Sequence, residues 1–172
     1  TTTVSGGAPL VVDSVGGVGA RLTVHGGTYD GAQRGIYLQG GIAAGASVSI
    51  NDAAVSGGSD HAVEVKAALD GSLAIDGATL AGAAQGLAIS VAVGAAADVQ
   101  VLRSSVSSGG GAAAVGLAAA LAGKLTLSQC AIAGDGDGVD LAGDVSGAVK
   151  LELSVVTSAA AHGIQLLSLT GG

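Results

Sequence analysis

Three side chains of this 172-residue chain, Asp52, Asp76 and Arg103, have the types and spacing for chemistry on a sugar or for holding calcium. Two carboxylates can share acid and base roles at a glycosidic bond, and carboxylate oxygens are the ligands that calcium prefers. On consecutive turns of a repeating fold these side chains would come within about 5–10 Å of one another. Sugar sites usually add aromatic platforms, and Tyr29 and Tyr37 are the only rings in the chain. The expectation is therefore a solvated polar ladder and no catalysis, with Asp52, Asp76 and Arg103 as the residues of the enzymatic alternative.

A second acidic set lies in AGDGDGVDLAGD, residues 133–144, which carries Asp135, Asp137, Asp140 and Asp144. Aspartates alternating with glycine resemble calcium loops, and Asp135, Asp137 and Asp140 are the metal alternative. The segment has neither the EF-hand spacing nor tandem nonapeptides, so a hydrated turn is expected, with no metal and no cofactor. The three histidines offer no zinc site. His61 and His162 fall in one column of the repeat, four turns and about 19 Å apart, and His25 falls on another corner. Cys130, the single cysteine, sits among small residues and reads as a buried small hydrophobe. No G-x-S-x-G, P-loop, H-E-x-x-H or R-G-D motif occurs.

What positions these residues is a repeat. Alternating apolar pairs Leu22/Val24, Val48/Ile50, Leu73/Ile75, Val99/Val101, Leu125/Leu127 and Val149/Leu151 recur every 24 to 26 residues. Seven residues after the first member of each pair stands Tyr29, Val55, Leu80, Val106, Ile132 or Val156. A second pair follows a Gly-rich stretch: Ile36/Leu38, Val63/Val65, Leu87/Ile89, Val115/Leu117, Val139/Leu141 and Ile164/Leu166. Ile42, Leu69, Val93, Leu121 and Val145 close five of the units. Period-two alternation means short strands with one buried face. Leucine-rich and helical repeats need spacings that are absent. The fold class expected is all-β: a right-handed single-stranded parallel β-helix of about six coils with three short strands each. Residues 1–172 form one domain.

Composition agrees. With 32 Gly, no Phe, no Trp and no Met, the core must be a slender aliphatic column. The apolar content of 49% argues against disorder. A net charge of −7 with six scattered cations excludes the clustered basic face that nucleic acid requires and disfavours an anionic membrane surface. The long uncharged span Ser104 to Gly123 is too short in its apolar part and too rich in Gly to cross a bilayer, so direct membrane insertion of this segment is not expected.

The phrases GARLTVHGGTYDGAQRGIYLQGG, GASVSINDAAVSGGSDHAVEV and GKLTLSQCAIAGDGDGVDLAG resemble coils of pertactin-type autotransporter passenger domains. The resemblance covers almost the whole chain and rests on a coil pattern, without a catalytic signature. It implies a secreted bacterial surface protein, translocated through its own C-terminal barrel, acting as an adhesin or virulence factor. The chain is then expected to be a segment of a longer passenger, at the bacterial cell surface, attached to the outer membrane or secreted. Its partner would be a host protein or cell-surface receptor.

Loops projected from a rigid rod carry binding determinants. The turns that vary most between coils are Gly57, Gly58, Ser59, Asp60, His61 and Ser107, Ser108, Gly109, Gly110, Gly111, and these are the candidate binding loops. Arg34 and Asp60 fall at matching positions of neighbouring coils and are expected to pair as an exposed bridge. The alternatives to a binding scaffold are a polysaccharide lyase or hydrolase and a structural, filament-forming β-solenoid subunit with end-to-end self-association.

Overall fold

The computed structural model describes residues 3–17 and 19–169, with residues 167–169 described for their backbone. Every regular element among them is a strand, and every strand pairing is parallel. The chain winds as a β-solenoid of about six turns around three sheets.

The first sheet stacks β1 (Thr3–Gly6), β4 (Thr28–Gly31), β7 (Ala54–Gly57), β10 (Thr79–Gly82), β13 (Ser105–Ser108), β16 (Ala131–Gly134) and β19 (Val155–Ser158). The second stacks β2 (Leu10–Val12), β5 (Ile36–Leu38), β8 (Val63–Val65), β11 (Leu87–Ile89), β14 (Val115–Leu117), β17 (Val139–Val145) and β20 (Ile164–Leu169). The third stacks β3 (Arg21–His25), β6 (Ser47–Asn51), β9 (Ser72–Asp76), β12 (Asp98–Leu102), β15 (Lys124–Ser128) and β18 (Ala148–Glu152). Each coil thus supplies three short strands, as the repeat predicts. The closing apolar residues Ile42, Leu69, Val93, Leu121 and Val145 form a fourth line of contact through isolated parallel bridges.

Alternation decides which side chains face in. In β6, Val48 and Ile50 are buried while Ser47, Ser49 and Asn51 reach solvent. Their register partners Leu73/Ile75, Val99/Val101 and Leu125/Leu127 continue the two inward stacks without a gap. A core one aliphatic layer wide from each sheet is narrow for rings, and Tyr29, at an inward position of β4, packs against it only partly buried. Each fully buried Val, Leu or Ile contributes roughly 1.5–3 kcal/mol, and the stacks repeat this at strand spacing along the axis.

The corner between the third and first sheets turns through a residue in the left-handed region, Gly26, Asp52, Gly77, Arg103, Gln129 or Leu153, joined in the first case by Gly27. At the next corner, between the first and second sheets, β4, β7, β10 and β16 end in a glycine that leaves no room for a Cβ, while β19 ends in Ser158. A Cβ at Gly134 would lie 1.6 Å from the Asp137 carbonyl oxygen, and one at Gly82 would lie 1.9 Å from that of Gln85. In the fourth coil Ser108 takes this place. The turn there is longer, and the Ser108 hydroxyl donates to the Ala112 carbonyl at 2.7 Å, meeting as a hydrogen bond the group that crowds the glycines.

Candidate functional site

The longer turn borders an open concavity at that corner. Ser107, Ser108 and Gly109 of one coil, Ala133, Gly134 and Asp135 of the next, and Thr157, Ser158 and Ala159 of the third line an open groove of about 590 Å³. The strand ends of β13, β16 and β19 form its floor, so its spacing is set by the ladder itself. Asp135 is exposed on its wall, and one carboxylate oxygen accepts the Gly111 N–H at 2.8 Å. The structure therefore brings the Ser107–Gly111 candidate loop together with Asp135, which the sequence placed in a separate acidic turn. The signal for this was the shared column of the repeat: Gly109 and Asp135 are equivalent positions of adjacent coils.

The hydroxyls of the groove have a common polarity. Ser107 donates to the Leu80 carbonyl, Ser108 to that of Ala112, Thr157 to that of Ile132 and Ser158 to that of Gly136. All four protons point into the scaffold. Ser108 Oγ also accepts the Asp135 N–H and Ser158 Oγ the Ala161 N–H, so what the side chains leave toward solvent is the remaining oxygen lone pairs and the Asp135 carboxylate.

The other two aspartates of the acidic turn part from Asp135. One Asp137 oxygen accepts both the main-chain N–H of His162 at 2.7 Å and contact from its ring Nδ1 at 3.2 Å. Asp140 sits on the outer face of β17 with one buried oxygen that has no hydrogen-bond partner. Burial and the neighbouring Asp137 charge both push its carboxyl above the ordinary carboxylate range.

The Gly57–His61 turn divides in two. Gly58 and Ser59 are exposed, with Ser59 donating to the Ala32 carbonyl at 3.2 Å. Asp60 and His61 turn instead onto the outer face of the second sheet. There Arg34 pairs with Asp60 at 2.7 Å, as the column spacing predicts, but both are half-buried and belong to a larger network than an exposed bridge. The Arg34 Nε also donates to Glu64, whose side chain on β8 is buried although it points outward. The guanidinium lies over the Tyr37 ring, 4.9 Å from its centroid, and Lys66 and Ser90 approach the other Glu64 oxygen. Burial alone would lower the Arg34 pKa, but the Glu64 hydrogen bond and charge, with Asp60 and Tyr37, raise it further above its ordinary value. Sequence reasoning missed Glu64, because alternation marks its position as solvated.

Asp60, His61 and Glu64 bring one ligand atom each to within 4.8 Å of one another, the one such grouping of three among the described residues. The chemistry of the set does not suit a metal. His61 Nδ1 accepts the Gln85 N–H at 3.3 Å, so its Nε2 carries the proton donated to Asp60 at 3.0 Å, and no ring lone pair is free. Arg34 already supplies the positive charge between the two carboxylates. Asp135, Asp137 and Asp140 form no comparable grouping, and His25, His61 and His162 remain apart.

Of the sugar-chemistry trio the structure joins two. Arg103 pairs with Asp76 of the preceding coil. Asp52 is turned toward His25, 3.9 Å away, and its main-chain N–H, not its side chain, meets the Asp76 carbonyl. Arg103 and Asp52 are held at the corner by left-handed backbone and are exposed. Cys130 is buried, with Sγ 3.2 Å from the Val101 carbonyl oxygen and 3.3 Å from that of Ser128.

Comparison of the chain with protein-family models, with curated proteins and with solved structures gives no match in any of the three.

Proposed function

We propose that the chain is a non-enzymatic, surface-exposed β-helical passenger segment of a secreted bacterial autotransporter, presenting its corner loops to host molecules. The observation that carries the reading is the groove at the corner between the first and second sheets. It joins the Ser107–Gly109 part of the most variable turn to matching positions of the next two coils. A rigid ladder with variable loops at one corner is a scaffold for recognition. The Asp52, Asp76 and Arg103 set supports an enzyme less well, since among the described residues Asp52 pairs with His25 and not with the other two, and the chain has only two Tyr and no Phe or Trp to serve as a sugar platform.

The test is binding of the labelled chain to immobilised host extracellular proteins and whole cells, beside a variant with residues 107–111 reversed in order. Saturable binding by the parent chain that the reversed loop loses supports the reading. Indifference to every surface, or equal binding by both chains, overturns it, as does cleavage of any member of a polysaccharide panel.

A further inference from the structure

We infer that the groove lined by Ser107, Ala133, Asp135 and Thr157 takes an extended, lysine- or arginine-bearing stretch of a partner protein. The inference rests on the binding-scaffold reading and names the chemistry of its partner. Two features of the groove select that chemistry. The first is charge. Asp135 stands exposed on the wall, and among the described residues no Lys or Arg pairs with it. The cations nearest the groove in sequence are Arg103, Lys124 and Lys150: Arg103 is paired with Asp76, and the two lysines belong to the third sheet, with Lys150 matched by Glu152 at 2.8 Å. The second is hydrogen-bond polarity. Because the four hydroxyl protons are engaged by scaffold carbonyls, the hydroxyl side chains of the groove present acceptors and not donors. A complementary surface must bring N–H donors and positive charge, which ammonium and guanidinium groups supply. An anionic glycan or a phosphate would meet lone pairs and a carboxylate.

Shape points the same way. Gly109, Ala133, Gly134 and Ala159 keep the groove shallow and open, so a main chain can lie close to it. Across three coils it runs about 10 Å, room for about three residues of an extended segment.

The experiment is fluorescence anisotropy of the whole chain with a fluorescein-labelled peptide of alternating Lys and Gly, beside an alternating Glu and Gly peptide. The Lys–Gly peptide should bind saturably and more weakly as salt rises, and the Glu–Gly peptide should not bind. Asp135→Asn keeps an acceptor for the Gly111 N–H, so the turn persists, and it should weaken binding about tenfold. Asp13→Asn, the same charge change on another part of the surface, should alter it less than about twofold. Ala133→Arg places a cation in the groove and should abolish binding. Absence of saturable binding, or equal losses from Asp135→Asn and Asp13→Asn, overturns the inference. If host binding depends on residues 107–111 but the Lys–Gly peptide does not compete for it, the scaffold reading stands and the basic partner falls. If the reversed loop changes nothing, both fall.

Discussion

Glu64 points outward from the second sheet yet is only 2% exposed, because the guanidinium of Arg34, one coil earlier, lies across it. A carboxylate at an outward position of a strand is ordinarily hydrated. Here its desolvation is offset by the Arg34 hydrogen bond, with Lys66 at 3.5 Å as a weaker partner. Removing one partner of a buried pair costs more than the pair contributes, since a charge is left without compensation. Arg34→Met should therefore destabilise the chain by about 2–4 kcal/mol, the lower side of that range reflecting the guanidinium's partial exposure. The double variant Arg34→Met, Glu64→Leu should recover most of the loss. Urea midpoints of the three chains measure it, and a double variant no better than the single one would show that the two residues are not coupled.

Cys130 occupies a column in which Ser104 and Ser154 do a defined job. Ser104 Oγ accepts the Ala78 N–H of the coil before it at 3.1 Å, and Ser154 Oγ accepts the Cys130 N–H at 3.1 Å. Each hydroxyl also donates to the carbonyl two residues earlier, a direction that the Cys130 thiol repeats toward Ser128. A hydroxyl at position 130 would fit both roles and accept the Ser104 N–H. Cys130→Ser should leave stability within about 1 kcal/mol of the parent or raise it, whereas Cys130→Ala, leaving a void, should lower it by about 1 kcal/mol. The native thiol should stay unlabelled by a disulfide reagent until urea unfolds the chain, and rapid labelling without urea would contradict its burial.

The coils were legible because the aliphatic pairs are nearly invariant in spacing, and stacking demands that. Every inward position from Ile36 to Val145 that the repeat marks is buried or packed on the core. The corners were harder to read. Asp52, Asp76 and Arg103 look equivalent along the sequence, but Asp76 ends a strand while Asp52 and Arg103 stand one residue on, in left-handed backbone, where Arg103 reaches Asp76 and Asp52 faces His25. Glu64 was unreadable for a different reason. Its burial is produced by Arg34, 30 residues away in sequence, and alternation reports only which face a side chain takes. The groove lay between: its loop was identifiable from turn length, but its union with Asp135 depends on register across coils.

Asp140 supplies a pH dependence. Burial first and the Asp137 charge second raise its folded-state pKa above the unfolded carboxylate value of about 3.9. The folded chain thus holds this proton to higher pH than the unfolded chain does. Its contribution to stability is full below the unfolded pKa and is lost as pH rises through the folded pKa. Asp140→Asn should be more stable than the parent at neutral pH, with the difference shrinking to nothing as pH falls below about 4. Thermal melts of both chains from acid to neutral pH decide it. A difference that grows toward low pH would reverse the assignment.

Leu153 occupies the left-handed corner position that earlier coils fill with Gly26, Asp52 and Gly77, at φ +48° and with 84% of its surface exposed. A left-handed conformation costs a residue with a Cβ roughly 1–2 kcal/mol. Exposure means that the side chain returns little of this through packing. Leu153→Gly should accordingly raise stability by about 1 kcal/mol, less than the full strain because glycine also loses more conformational freedom on folding. Leu153→Asn, which tolerates the conformation through its short polar side chain, should gain a smaller amount. The same replacement at Leu127, buried in the third sheet's inward stack, should destabilise by several kcal/mol. Equilibrium urea unfolding of the three variants reads the contrast. A loss on Leu153→Gly would mean that the exposed leucine is covered in solution, and the corner of the last described coil would then be a contact surface instead of a strained turn.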